Sequence, residues 1–315
     1  MSAAPSASGQ TAASLWLRAM PMVFVLIWST GFIVAKFGLP YAPPLTFLAW
    51  RYGFSIVCFL VWIQLCGAVW PQRGTQWLHL AVTGSLMHAG YLGGVWVAVK
   101  AGMGSGLAAL IVSLQPVLTA VWVSQWAGQG AAPQQVSRRQ WLGLALGLGG
   151  LLLVVWRKLG AGSEVSGLTL GAAVFALLSI TAGTLYQKHF MQPTDVRTAN
   201  VIQLAAALLV TLPLTLLETE AIAWNGAFIG AMAWAVLALT LGGSSLLYLL
   251  IQRGAATAVT SLLYLVPPST ALMAWVLFNE EITFATLLGT VITAIGVSLV
   301  VRPARVPQPN ALQKD

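Results

Sequence analysis

Residues 85–102, SLMHAGYLGGVWVAVKAG, set the imidazole of His88 and the rings of Tyr91 and Trp96 among Gly90, Gly93 and Gly94, in a stretch otherwise apolar enough to lie in lipid. A helix that only touches lipid needs none of these, and polar groups inside a bilayer are costly enough that they tend to serve a purpose. Spacing of three and four residues puts Gly84, His88, Tyr91 and Val95 on one helical face. Later in the chain Ser244, Tyr248 and Ile251 repeat that arrangement, with Ser245 flanking. A cavity lined by rings and hydroxyls suits a small amphipathic solute. His88 has two plainer readings: a hydrogen bond to a serine or carbonyl of the next helix, or, with an ordinary pKa of about 6.5, a proton site.

In WSTGFIVAK, Ser29, Phe32 and Lys36 lie roughly on one face, with Trp28 beside them. Lys36 is near a helix end, where it either anchors the helix by snorkelling or contacts a gate or an anion. Arg51, a turn or more inside its helix, is expected to be buried and paired with Glu280. Gln115-Pro116 and Pro267-Pro268 interrupt helices, and a proline frees a carbonyl that lines a site or forms a hinge. Gly93 and Gly94 let the helix bend or a neighbour approach. Trp70, Trp77, Trp141, Trp156 and Trp224 read as belt residues at the membrane surface. No acidic residue falls inside an apolar stretch, which argues against carboxylate-based ion coupling and favours gradient-driven movement of solute. No metal-ligand cluster, phosphate-binding loop or nucleophile–base pair is discernible, so neither enzyme chemistry, nor a metal, nor a cofactor is expected.

The elements that position these residues follow from composition. Of 315 residues, 58% are hydrophobic and 7% charged, and mean hydropathy is +0.84. So little charge cannot cover a soluble surface, and uncharged stretches of about 20 residues recur along the chain. The two-residue alternation of a membrane barrel is absent. The chain therefore reads as an all-α integral membrane protein. Its net charge of +8 is scattered singly at the ends of apolar runs, a membrane pattern that leaves no nucleic-acid face. Cys58 and Cys66, eight residues apart in one helix, are about 12 Å apart along it, too far for a disulfide.

Ten spans are expected, near 20–38, 44–66, 76–99, 103–127, 139–157, 168–189, 197–217, 226–251, 255–278 and 282–302. With both termini cytoplasmic, the inner segments hold Arg18, Arg73, Arg138, Arg139, Lys188, Arg197, Arg253, Arg302, Arg305 and Lys314, against Lys100, Arg157 and Lys158 outside. The two halves superimpose in sequence. STGFIVAKFG (29–38) meets TAGTLYQKHF (181–190), pairing Lys36 with Lys188 at an offset of 188 − 36 = 152. The same offset pairs Pro116 with Pro268 and His88 with Thr240. Five spans per repeat is an odd number, so the second repeat is inverted, a transporter architecture with its site at the midplane. The expected division is a tail at 1–18, repeats at 19–158 and 168–303, and a tail at 304–315. A duplicated chain closes its own twofold axis, so a functional monomer is expected, with a small solute and the bilayer as partners.

The residues WSTGFIVAKFGL, the arginine of FLAWRYGF and the segment 255–300 resemble the EamA-type transporters of the drug/metabolite transporter superfamily, over about residues 20–303. Within it the chain is most similar to bacterial exporters of aromatic and other amino acids. The resemblance implies a bacterial inner-membrane exporter working by alternating access, with helices five and ten peripheral. Carried over by position, it brings Trp28, His88, Tyr91, Trp96, Gln115, Tyr186, Ser244, Tyr248 and Tyr264 to the cavity. The first-helix glutamate of the small multidrug members is missing, Ser29 and Thr30 standing in its region, and the first half has AGQGAAPQQ where the second carries Glu280. Carriers of nucleotide sugars would need more basic residues facing the cavity, and carriers of cationic drugs a buried acid. A scaffold or membrane enzyme would need features the sequence lacks.

Overall fold

In lipid every backbone N–H and C=O must be satisfied within the chain, which leaves the helix as the natural element for such apolar runs. The computed structural model describes residues 7–126, 138–159, 164–252 and 263–301, and among them every regular element is helical. The first are α1 (Ala7–Gly38), α2 (Pro44–Cys66) and α3 (Gly74–Gly84). A π-helical turn, Ser85–Gly90, carries α3 directly into α4 (Tyr91–Lys100). Then come α5 (Ser105–Val112), α6 (Gln115–Trp126), α7 (Arg138–Leu159), α8 (Gly167–Phe190) and α9 (Val196–Thr215). A second π-helical segment, Trp234–Gly242, joins α10 (Gly226–Ala233) to α11 (Gly243–Gln252), and α12 (Val266–Phe278) and α13 (Phe284–Val301) close the series.

Seven of the helical runs are long and apolar enough to cross a membrane: Ala19–Gly38, Pro44–Cys66, Ser105–Trp122, Arg138–Lys158, Gly167–Phe190, Val196–Thr215 and Gly226–Leu246. Two further apolar helices, Val266–Phe278 and Phe284–Val300, are shorter. Residues 255–262 of the ninth expected span lie outside the described residues.

Helix ends follow local chemistry. α2 opens on Pro43-Pro44, where a missing N–H removes nothing the helix would use, and closes on Gly67 at φ 66°. α9 opens on Asp195, whose carboxylate accepts the Arg197 N–H at 2.9 Å. The expected mid-helix prolines start helices instead. Pro116 is the second residue of α6, after a break at Ser113–Leu114, and Pro267-Pro268 form the first turn of α12. At these positions proline leaves no carbonyl stranded.

Between helices in lipid the gain comes from close packing rather than from water exclusion. Trp96, Phe47 and Phe228 are buried and pack together, Phe47 lying 4.5 Å from Trp96 and 5.4 Å from Phe228 between ring centroids. At the edge α7 pairs with α13 through Gly143, Gly150, Gly289 and Gly296, where any Cβ would run into facing backbone. Thr293 Oγ1 donates to the Gly147 carbonyl across that seam at 3.3 Å.

Candidate functional site

A cavity of about 1060 Å³ lies between the halves. Its walls come from Trp28, Gly31 and Phe32 of α1, Arg51 of α2, the first π-turn and α4, Asn200 and Gln203 of α9, and Thr240 and Ser244 of the second half. It opens toward residues 69–72 and 191–196, the loops before α3 and α9. At this mouth Asp195 holds Arg197 through two further bonds of 2.7 and 3.1 Å, and these keep its carboxyl below the usual carboxylate range. The Asp195 carboxylate that lines the mouth is therefore neutralised by Arg197 at neutral pH.

The π-helical segments give the site its plan. An α-helix that gains one residue widens into a π-turn, displacing carbonyls from the regular ladder, and such turns recur at functional sites. Adding 152 to the first, 85–90, gives 237–242, within the second. α2 reaches both: Tyr52 Oη donates to the His88 carbonyl at 2.9 Å, and Arg51 Nε and Nη2 both donate to Thr240 Oγ1 at 3.2 Å. Thr240 Oγ1 spends its own proton on the Ala235 carbonyl at 2.9 Å, five residues back, so its lone pairs face Arg51. On the other side Gln203 lies beside His88, both lining the cavity. Gln203 is the repeat mate of Arg51, since 203 − 51 = 152. Two related pairs thus cross between the halves, Arg51 with Thr240 and Gln203 with His88.

Of the residues singled out by sequence, Trp28, His88, Tyr91, Trp96 and Ser244 line the cavity. Ser29 does not; it is buried, and its hydroxyl donates to the Val25 carbonyl at 2.8 Å. Gln115 Nε2 donates to Thr184 Oγ1 at 2.8 Å, tying α6 to α8 outside the lining. Tyr186 joins His79 and Phe190 in a separate aromatic cluster, its Oη 2.8 Å from His79 Nδ1. The side chains of Tyr248 and Tyr264 lie outside the described residues. Gly93 and Gly94 lie beyond the irregular turn rather than in it. A Cβ on Gly94 would sit 2.7 Å from the Ala172 carbonyl oxygen and 2.9 Å from Ala176 Cβ, so this glycine sets the α4–α8 distance. Trp70, expected in a surface belt, lines the mouth and stacks on Trp77 with centroids 5.8 Å apart.

The pairing expected between Arg51 and Glu280 is replaced by another. Lys36 Nζ meets Glu280 Oε1 at 2.5 Å, and the same oxygen accepts the Ser105 N–H at 3.0 Å. Arg51 lies seven residues, roughly 10 Å, into α2 from Pro44, too deep for a carboxylate at the helix ends. Lys36 is consequently a contact between α1 and the turn after α12, not a free anchor. More bonds close the same end. Lys100 Nζ donates to Glu220 Oε2 at 2.5 Å and to the Leu39 carbonyl at 3.0 Å. Glu218 accepts the Leu45 and Thr46 N–H groups at 2.8 and 2.7 Å, satisfying orphan donors at the start of α2. The cavity is thus open at one face and sealed at the other.

Sequence reasoning missed Gln203, Asn200, Met87 and the mouth loops. The 152-residue offset that matched His88 to Thr240 carried the signal for Gln203, because it also matches Arg51.

The sequence model of the EamA-like transporter family matches residues 15–156 and again 167–302. An "Uncharacterized transporter" of Archaeoglobus fulgidus is 23% identical over 284 residues, covering 87% of this chain and 93% of that protein. A "Probable amino-acid metabolite efflux pump" of Salmonella typhimurium is 26% identical over 289 residues, covering 88% and 92%. A solved structure superimposes with a TM-score of 0.62 at 16% identity, over 89% of this chain and 94% of the other, a likeness of fold.

Proposed function

Because the chain belongs to the EamA-like transporter family, we propose that its cavity is the carrier site of an alternating-access exporter of amino acids, aromatic ones included, and related small metabolites. The observation that carries this reading is a cavity walled by matching elements of both repeats, open at one face and bonded shut at the other. If the repeats run in opposite directions through ten spans, each takes up in turn the conformation of its mate, and the opening changes sides. With both termini cytoplasmic, the mouth at 69–72 and 191–196 faces inward, which is where an exporter loads. A helical bundle of this kind belongs in the bacterial inner membrane, and one duplicated chain suffices as a monomer. Transport is facilitative or weakly coupled, since none of the chain's acidic residues falls in the apolar stretches.

The amino-acid assignment is supported by the name of the Salmonella relative and by a lining of Trp28, Tyr91 and Trp96 around a few polar groups. Counterflow in proteoliposomes tests it. Vesicles loaded with unlabelled phenylalanine, or with a mixture of amino acids, should accumulate the labelled compound with or without a pH gradient, and His88→Ala should slow the exchange. Accumulation that requires the gradient and vanishes in His88→Ala would make His88 a proton carrier and end the facilitative reading. No exchange across amino acids would end the assignment of substrate.

A further inference from the structure

The two crossed pairs are alike in position but not in charge. On one side the cavity wall holds the neutral amide of Gln203 beside His88; on the other, the matching place holds the guanidinium of Arg51 against Thr240. A neutral side chain satisfies the scaffold there, so the charge is additional to what the architecture asks. Among the described residues no carboxylate neutralises it. Glu164, Asp195, Glu220 and Glu280 are paired with Lys158, Arg197, Lys100 and Lys36, and Glu218 caps α2. Glu281 adjoins Glu280, and Asp315 ends the chain. Arg51 is 7% exposed, lines the cavity, and spends two of its donors on one hydroxyl at 3.2 Å. A guanidinium has five N–H donors in a fork that matches a carboxylate. A buried charge without a counter-ion is costly to maintain, and an anion arriving there recovers that cost.

We infer that Arg51 is the anion-docking residue of the cavity, and that the preferred solutes are amphipathic carboxylates with net negative charge. Thr240 holds the guanidinium while the site is empty, and the solute's carboxylate takes its place. The rings of Trp28 and Tyr91 receive the apolar part. Nothing among the described lining deep in the cavity neutralises an ammonium group. A zwitterionic amino acid therefore ranks below the same skeleton without its amine, and the bare amine ranks last. This inference rests on the cavity being the transport site and narrows the chemistry it accepts.

Three ligands with one ring test it: 3-phenylpropionate, phenylalanine and phenethylamine. Binding is read as thermal stabilisation of the purified full-length protein in detergent, and transport as inhibition of labelled phenylalanine counterflow. The acid should stabilise the protein at concentrations at least tenfold below those the amine requires, with phenylalanine between. Arg51→Gln, which copies the chemistry of the other half, should fold and bring the three ligands within about threefold of one another. Arg51→Lys should keep the ranking with a smaller spread. Equal stabilisation by acid and amine, an unchanged ranking in Arg51→Gln, or no stabilisation by any of the three overturns the inference. The two readings separate cleanly. Arg51-dependent binding of the acid without counterflow of any solute would leave the anion site standing and remove the transport reading. Counterflow that ignores charge would do the reverse.

Discussion

Thr240 accepts both bonds that hold Arg51, so its removal is felt through a buried charge. Thr240→Val leaves the guanidinium with neither Oγ nor a carboxylate, and hydrogen bonds to charged groups contribute about 1.5–3 kcal/mol. Unfolding in detergent should show a loss of that size, partly restored by 3-phenylpropionate. Ser55 offers the opposite case one turn further along α2. It is completely buried, and its Oγ is the single buried side-chain polar atom without a partner among the described residues. Ser55→Ala removes an unsatisfied group, so the same measurement should find stability unchanged or raised by up to about 1 kcal/mol. Which single residues matter was partly legible in the sequence. Polar types in an apolar run marked His88, Tyr91 and Ser244 because their cost is intrinsic to the residue. Partners were not legible, because Glu280 reaches Lys36 rather than Arg51 only by virtue of depth in the bundle.

Elements carry a different kind of information. The helices follow from apolar length, and most of the expected spans begin and end within a few residues of the observed ones. The π-turns had no such signature: one additional residue in a helix leaves composition and length unchanged, and only the superposition of the halves gives their place. Glycine was ambiguous for a related reason, since bending and close approach call for the same residue. The structure separates the two at adjacent positions. Gly94→Ala presses a methyl into the Ala172 carbonyl and Ala176, and should cost about 1–3 kcal/mol by overpacking. At Gly93 a Cβ meets only Leu45 Cδ2, at 3.6 Å, so Gly93→Ala should be neutral or gain up to about 1 kcal/mol of helix propensity. If both variants lose stability equally, the assignment of Gly94 to the α4–α8 contact is wrong.

Across the whole molecule the two faces are unequally fastened among the described residues. The sealed face has Lys36–Glu280 and Lys100–Glu220. Lys188, the repeat mate of Lys36, is exposed and has no carboxylate partner among the described residues, and AGQGAAPQQ in the first half offers none. Under the proposed alternating-access mechanism, these ion pairs favour the conformation seen here over its inverse. Glu280→Gln, which removes a part-buried pair worth about 1 kcal/mol, should raise the population open at the sealed face roughly fivefold. A cysteine replacing Phe32, in a chain without Cys58 and Cys66, reports this as faster labelling by an impermeant maleimide from that face. Unchanged labelling would show that packing, not charge, keeps the face closed.

The crossed pairs also bear on how such a chain is able to change over generations. Arg51 answers to Thr240 and Gln203 to His88, so each half keeps its correspondents in the other. A replacement at 51 is expected to be offset at 240, and one at 88 at 203. Substitution histories across descendants of this sequence should therefore be correlated between the halves at these positions. At these four positions the two copies are then expected to drift in step rather than independently.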